Sequence, residues 1–141
     1  MRLRNRAGFT LIEMIIVISI VTMLIGGSAL GYGRYQQNAR DARRKSDLEQ
    51  IRAALELFRS NTVSGNYPTS WYAPGWQNSI SPYFGNSVSN IPKDPSTKVD
   101  YVYNSVPAWC SGSVCTSYTM RATLELGGTC IVDPNKSASS C

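Results

Sequence analysis

The run Gly8-Phe9-Thr10-Leu11-Ile12-Glu13-Met14-Ile15-Ile16-Val17-Ile18-Ser19-Ile20-Val21 opens an apolar block that continues to Leu30. From Phe9 to Leu30 there are 22 residues without a positive charge. At about 1.5 Å per residue a helix of that length reaches roughly 33 Å, enough to cross a bilayer core. One acid, Glu13, interrupts it. Ahead of the block stand Arg2, Arg4 and Arg6 with no acid among them, so more than half of the net charge of +5 precedes Phe9.

Three readings compete for this start. An ordinary cleaved signal peptide has an apolar core of about 7–15 residues and a small-x-small cleavage site; this block is longer, and Ser28-Ala29 is a poor site. A plain membrane anchor has no use for Glu13, because a carboxylate within a spanning helix costs about 2.5–3.5 kcal/mol on insertion scales. The third reading makes Glu13 a working part that requires a positive partner.

Outside the block, composition excludes much. The sequence of 141 residues is one domain's worth, and its 16% charged residues fall below the quarter usual in soluble domains. Histidine is absent, which removes the usual general base, the usual partner of a Ser or Cys nucleophile and the commonest metal ligand. No nucleophile–base pair remains for an enzyme, so catalytic residues, metal and cofactor are all expected to be none.

The short basic leader, Gly8, Phe9, the apolar run and Glu13 together resemble the class III signal of type IV prepilins and type II secretion pseudopilins. The resemblance implies a cut between Gly8 and Phe9 by a prepilin peptidase, N-methylation of Phe9, and an assembly role for Glu13 with Phe9. It implies a pilin fold of class α+β: one long N-terminal helix, its hydrophobic half protruding, with a small antiparallel sheet packed on its C-terminal half. The implied partners are further copies of the chain, the peptidase, an inner-membrane assembly platform and its ATPase, with DNA or surface ligands as a further class. The implied location is the cytoplasmic membrane for the precursor and an extracellular or periplasmic filament for the mature chain.

The physics of the cut chain agrees with that resemblance. A free amine on Phe9 at the head of a hydrophobic helix needs neutralising as much as Glu13 does. Within one helix, i,i+4 spacing puts Phe9 and Glu13 on one face. Between staggered helices, Glu13 of one subunit meets Phe9 of its neighbour and sets the register. Pairing within one chain only is the alternative.

Gly26, Gly27, Gly31 and Gly33 cluster at the end of the block, where each costs about 1 kcal/mol in a helix. The resemblance implies a stem helix locally unwound there in the filament, with close helix packing through small residues as the alternative. Leu48, Ile51, Leu55 and Phe58 then form one apolar stripe. Asp41/Lys45, Arg43/Asp47, Glu49/Arg52 and Arg52/Glu56 sit at helical ion-pair spacing. A single helix from Phe9 to Ser60 has 52 residues, or roughly 78 Å. The basic segment Arg34, Arg40, Arg43, Arg44, Lys45 reads as a solvated helix face, with DNA or anionic lipid as the alternative.

After Asn61, turn signals divide short apolar runs, and strands are expected at Val99–Tyr103, Ser117–Leu126 and Cys130–Val132. Tyr67-Pro68 and Ile91-Pro-Lys-Asp-Pro95 resemble the heads of major pseudopilins, which these four cysteines depart from. An even cysteine count beyond a membrane segment implies disulfides in an oxidising compartment. Of three connectivities, Cys110–Cys115 with Cys130–Cys141 is expected because each closes a local loop; the count itself leaves the others open. Spacing and compartment argue against zinc. Trp71, Tyr72, Trp76, Tyr83 and Trp109 fill a small core or an interface rather than bind glycan or DNA. Asp94, Asp100 and Asp133 are a minority candidate for calcium.

The organisation expected is a leader at 1–8, an assembly helix at 9–30, its amphipathic continuation at 31–60, and a β-rich head with two disulfides at 61–141. The function expected is a non-enzymatic filament subunit for motility, adhesion or DNA uptake. A pseudopilin of a secretion or competence system is the alternative within the family, and a singly anchored surface-binding protein the alternative outside it.

Overall fold

The computed structural model describes residues 8–29, 32–69, 75–108, 110 and 115–141. The chain divides into two compact units, Met1–Gln36 and Gln37–Cys141.

In the first unit, α1 spans Leu11–Ala29 and is apolar all round. Its described side chains through Gly26 are exposed. Two of its hydroxyls turn back onto the helix: Ser19 Oγ donates to the Ile15 carbonyl at 2.7 Å, and Thr22 Oγ1 to those of Ile18 and Ser19 at 2.9 Å. This local bonding lets Ser and Thr sit in an apolar helix without an outside partner. Gly26 and Gly27 are helical in the single chain. Gly31 lies outside the described residues. Among the described residues no helix is long and apolar enough to cross a membrane. The 22-residue span read from sequence is thus not matched: α1 begins two residues later, its 19 residues rise about 28 Å, and Glu13 occupies its first turn.

Helix α2 spans Tyr32–Asn61 and carries the stripe that the periodicity marks. Leu48, Ile51 and Leu55 are fully buried, Ala54 nearly so, and Phe58 packs against them. Leu30 and Gly31 lie outside the described residues, so the expected single helix is described as α1 and α2.

The second unit covers this stripe with a three-stranded antiparallel sheet in the order β1-β2-β3: β1 Val102–Val106, β2 Ser117–Thr123 and β3 Thr129–Val132. Tyr103 pairs with Met120, and Met120 with Val132. These inward residues join Tyr118, Ala122 and Cys130 in one core with the α2 stripe. Together the helix and sheet make an α+β, pilin-like arrangement.

Four strand boundaries differ from expectation; β1 runs on to Val106 rather than ending at Tyr103, and β3 begins at Thr129 rather than Cys130. β1 starts at Val102 rather than Val99 because Asp94 to Val99 close a turn, with Asp94 N–H donating to the Val99 carbonyl at 3.0 Å. β2 stops at Thr123 rather than Leu126 because the chain reverses through Gly127 and Gly128, at φ 104° and 90°, a region open to glycine. A short helix, α3 at Gly75–Ile80, stands where loops were expected. It places buried Trp76 in a stack on Tyr103, with centroids 5.1 Å apart. Tyr103 stacks in turn on Tyr118 at 5.7 Å, and Tyr67 meets Tyr118 edge-on at 4.8 Å. Trp71, Tyr72 and Trp109 lie outside the described residues. Cys110 is bonded to Cys115 and Cys130 to Cys141, with Cα atoms 5.4 and 5.2 Å apart.

Candidate functional site: the processing motif and the acid–base clasp

Gly8, Phe9 and Thr10 precede α1 in non-helical backbone and are exposed, Phe9 by 77%. Thr10 and Glu13 explain why the helix starts where it does. Glu13 N–H donates to Thr10 Oγ1 at 3.3 Å, while the Thr10 N–H and hydroxyl both donate to Glu13 Oε2 at 3.2 Å. This is a capping box, which satisfies two helix-end donors reciprocally. Its sequence signal, Thr-x-x-Glu ahead of an apolar run, was present at Thr10–Glu13 and escaped the reading above. Phe9 lies before the cap, outside the helix, and its nitrogen is still in the Gly8–Phe9 peptide bond. Glu13 bonds within its own chain to Thr10. The Gly8–Phe9 peptide bond sits in exposed, non-helical backbone ahead of the cap.

A second cluster of charge lies in the other unit. The Arg44 side chain is 3% exposed and touches three acids. Its Nε and Nη2 donate to the two Asp94 oxygens at 2.6 and 3.2 Å, and its Nη1 donates to Asp41 Oδ1 at 2.6 Å. Nη2 lies 3.0 Å from Glu125 Oε1. Arg40 forks onto Glu125 at 2.7 and 2.6 Å. Asp41 accepts the backbone N–H groups of Glu125 and Leu126 at 2.9 and 3.1 Å, which ties the β2–β3 turn to α2. Asp94 accepts those of Ser96 and Thr97, both at 2.9 Å.

The electrostatics follow from these contacts. Hydrogen bonding by Arg44 holds the Asp94 carboxyl well below the usual carboxylate range. Hydrogen bonding by Arg40 lowers Glu125 to about 2. Burial pushes Asp41 up, but the amides of Glu125 and Leu126 and the Arg44 guanidinium outweigh it, and the net shift is downward. Nearby, burial and the Asp47 acceptor at 2.8 Å raise the Tyr101 hydroxyl.

This clasp corrects the surface-pair reading of α2. Of the four expected pairs, Glu49–Arg52 forms at 2.8 Å. Asp41 takes Arg44 instead of Lys45, Asp47 takes Tyr101, and Glu56 takes Tyr67 at 2.8 Å. Arg44 is therefore buried and internal rather than solvated. The calcium candidates are not brought together: Asp94 is held by Arg44, Asp100 by Lys93 at 3.3 Å, and Asp133 by the Asn135 N–H at 2.8 Å. Among the described residues no group of three or more acids, cysteines or histidines is placed to hold a metal ion.

Residues 3–29 match the family model described as prokaryotic N-terminal methylation motif. The chain thus carries a prepilin signal of the type IV pilin kind. The matched segment lies wholly in the N-terminal part; the motif supports a type IV pilin or pseudopilin type of protein and in general implies processing by prepilin peptidase and pilus-type assembly machinery. Such a signal fits a membrane-anchored precursor and a surface filament. No curated protein and no solved structure matches the chain.

Proposed function

We propose that the chain is a pilin: a prepilin cut between Gly8 and Phe9, methylated on Phe9, and polymerised through its N-terminal helix into a type IV pilus-like filament. The leader is 1–8, the assembly segment 9–30, its continuation 31–60 and the head 61–141. One observation carries the reading: the methylation motif falls on a helix that is apolar all round and whose Ser19 and Thr22 hydroxyls are satisfied internally. A helix hydrophobic on every side belongs in a membrane or inside an assembly. Of the five aromatic residues read as core or interface, Trp76 is buried in the core and Tyr83 packs partly against it.

In the filament, the Glu13 carboxylate leaves the Thr10 cap for the Phe9 amine of the neighbouring subunit. Losing a cap costs about 0.5–2 kcal/mol, and pairing two charges that would otherwise be buried alone offsets it. The same cap holds Glu13 while the chain is a monomer.

The test is intact mass in sheared surface filaments and in the membrane pellet, together with two Glu13 variants. A sheared species beginning at methylated Phe9 supports the pilus subunit; the same mass confined to the membrane points to a pseudopilin, and an uncut Met1 form sinks the reading. Glu13→Gln keeps an acceptor compatible with the capping box but removes the charge. It should fail to assemble just as Glu13→Ala does, with the head's near-ultraviolet circular dichroism unchanged. Wild-type assembly by Glu13→Gln would eliminate the charge-pairing step.

A further inference from the structure

Five cations follow the apolar block, Arg34, Arg40, Arg43, Arg44 and Lys45, and the clasp engages Arg40 and Arg44. Arg34 belongs to the first unit with α1, is exposed, and has no ion pair among the described residues. It stands between Tyr32 and Tyr35, which expose 63% and 71% of their surface. All three lie in the first turn of α2, beginning three residues after α1 ends at Ala29. Tyr32 and Tyr35 are at i,i+3 and share a side of the helix.

Tyrosine has an apolar body and a polar tip, and it concentrates where a membrane meets water. A guanidinium at that depth forks onto phosphate oxygens. The rise of α1, about 28 Å, falls slightly short of a hydrocarbon core of about 30 Å. Short stretches are accommodated by flanking side chains that reach the boundary.

We propose that Tyr32, Arg34 and Tyr35 form an interfacial anchor seated on the lipid phosphates of the head-side leaflet. The anchor rests on the membrane-embedded precursor of the proposed function. It gives the chain a fixed depth before it enters a filament, with the rings at headgroup level and the Arg34 charge on phosphate. The placement of Tyr32, Arg34 and Tyr35 in one unit with the apolar α1, and the exposed Arg34 guanidinium without an ion pair among the described residues, together select lipid as the occupant.

The test uses the full chain in lipid nanodiscs with assigned amide resonances and two spin-labelled lipids, one labelled at the headgroup and one deep in the acyl chain. The amides of Tyr32 to Tyr35 should broaden with the headgroup label and be spared by the acyl label, and those of Ile18 to Val21 should do the reverse. The Arg34 Nε resonance should move when phosphatidylcholine is replaced by phosphatidylglycerol. Arg34→Gln should reduce occupancy of the anionic surface about fivefold. Tyr32 and Tyr35 untouched by either label, or broadened by the acyl label as strongly as Val21, overturn the anchor. An Arg34 resonance that answers added duplex DNA but not the anionic lipid overturns it as well. If Ile18 to Val21 ignore the acyl label, the chain is not inserted, and the anchor falls together with the embedded precursor. An inserted, anchored chain that never polymerises would sink the filament reading alone.

Discussion

Replacing Arg44 with Met should unfasten the β2–β3 turn and the Asp94 loop from α2 while leaving the α2 stripe intact. The guanidinium is 3% exposed and bonds to Asp94, Asp41 and Glu125. Its loss leaves two or three carboxylates facing one another without a cation. Breaking a buried pair by removing one partner costs about 3–5 kcal/mol, a large part of the roughly 5–15 kcal/mol that holds a domain folded. For a unit of this size that is a fall in melting temperature of about 12–20 °C, at about 4 °C per kcal/mol. The assay is urea denaturation of the full chain in mild detergent, disulfides intact, followed by near-ultraviolet circular dichroism of the stacked tyrosines. Acid supplies the internal control. With Arg44 gone, Asp41 and Asp94 lose the cation that lowers them, so their protonation relieves the repulsion and the deficit shrinks below about pH 4. Arg40→Met, whose side chain is 34% exposed, should do clearly less. A loss under about 1 kcal/mol at neutral pH, or an equal loss in neutral and acid solution, would refute the clasp.

Three further outcomes follow from the same contacts. Asp41, Asp94 and Glu125 are all lowered in the folded chain, Glu125 to about 2, so the stability they contribute is complete above the unfolded carboxyl range near 4 and drains away as pH falls toward 2; a urea midpoint flat across that window would contradict this. Changing Cys130 and Cys141 together to Ser opens a loop of sequence separation 11 and should cost about 3 kcal/mol, measured by the same denaturation; a cost below about 1 kcal/mol would show that the C-terminal segment is held by other contacts, such as the Ala138 N–H on Glu49 at 3.2 Å. Lys98 stands at φ 59°, a region costing a side chain about 1–2 kcal/mol, so Lys98→Gly should raise stability by up to about 1 kcal/mol once glycine's entropy is counted, and a destabilised variant would refute this.

Much of the architecture was legible because it rests on local period. The apolar run declares α1, the Leu48, Ile51, Leu55 spacing declares the buried face of α2, and the Tyr118, Met120, Ala122 alternation declares the central strand. The processing motif is likewise a short contiguous signal, and a family model reads it at residues 3–29. Boundaries were less legible, because they depend on single capping and turn events. Thr10 and Glu13 start the helix two residues late, and paired positive-φ glycines end β2 three residues early.

The partners of the charged side chains needed the folded chain. Asp41 and Lys45 have ideal surface spacing, yet Asp41 is turned inward to Arg44 and to amides 84 and 85 residues away. A solvated pair at i,i+4 gains only about 0.2–0.5 kcal/mol, so any buried arrangement that satisfies both charges outweighs it. By itself the sequence determined the helices, the central strand and the N-terminal methylation motif, since these depend on neighbours a few residues apart. The tertiary structure alone decided that a row of apparently solvated arginines and aspartates would become a clasp. That outcome depends on acids from two loops meeting Arg44, which only chain reversal at Gly127-Gly128 and the Asp94 turn brings about.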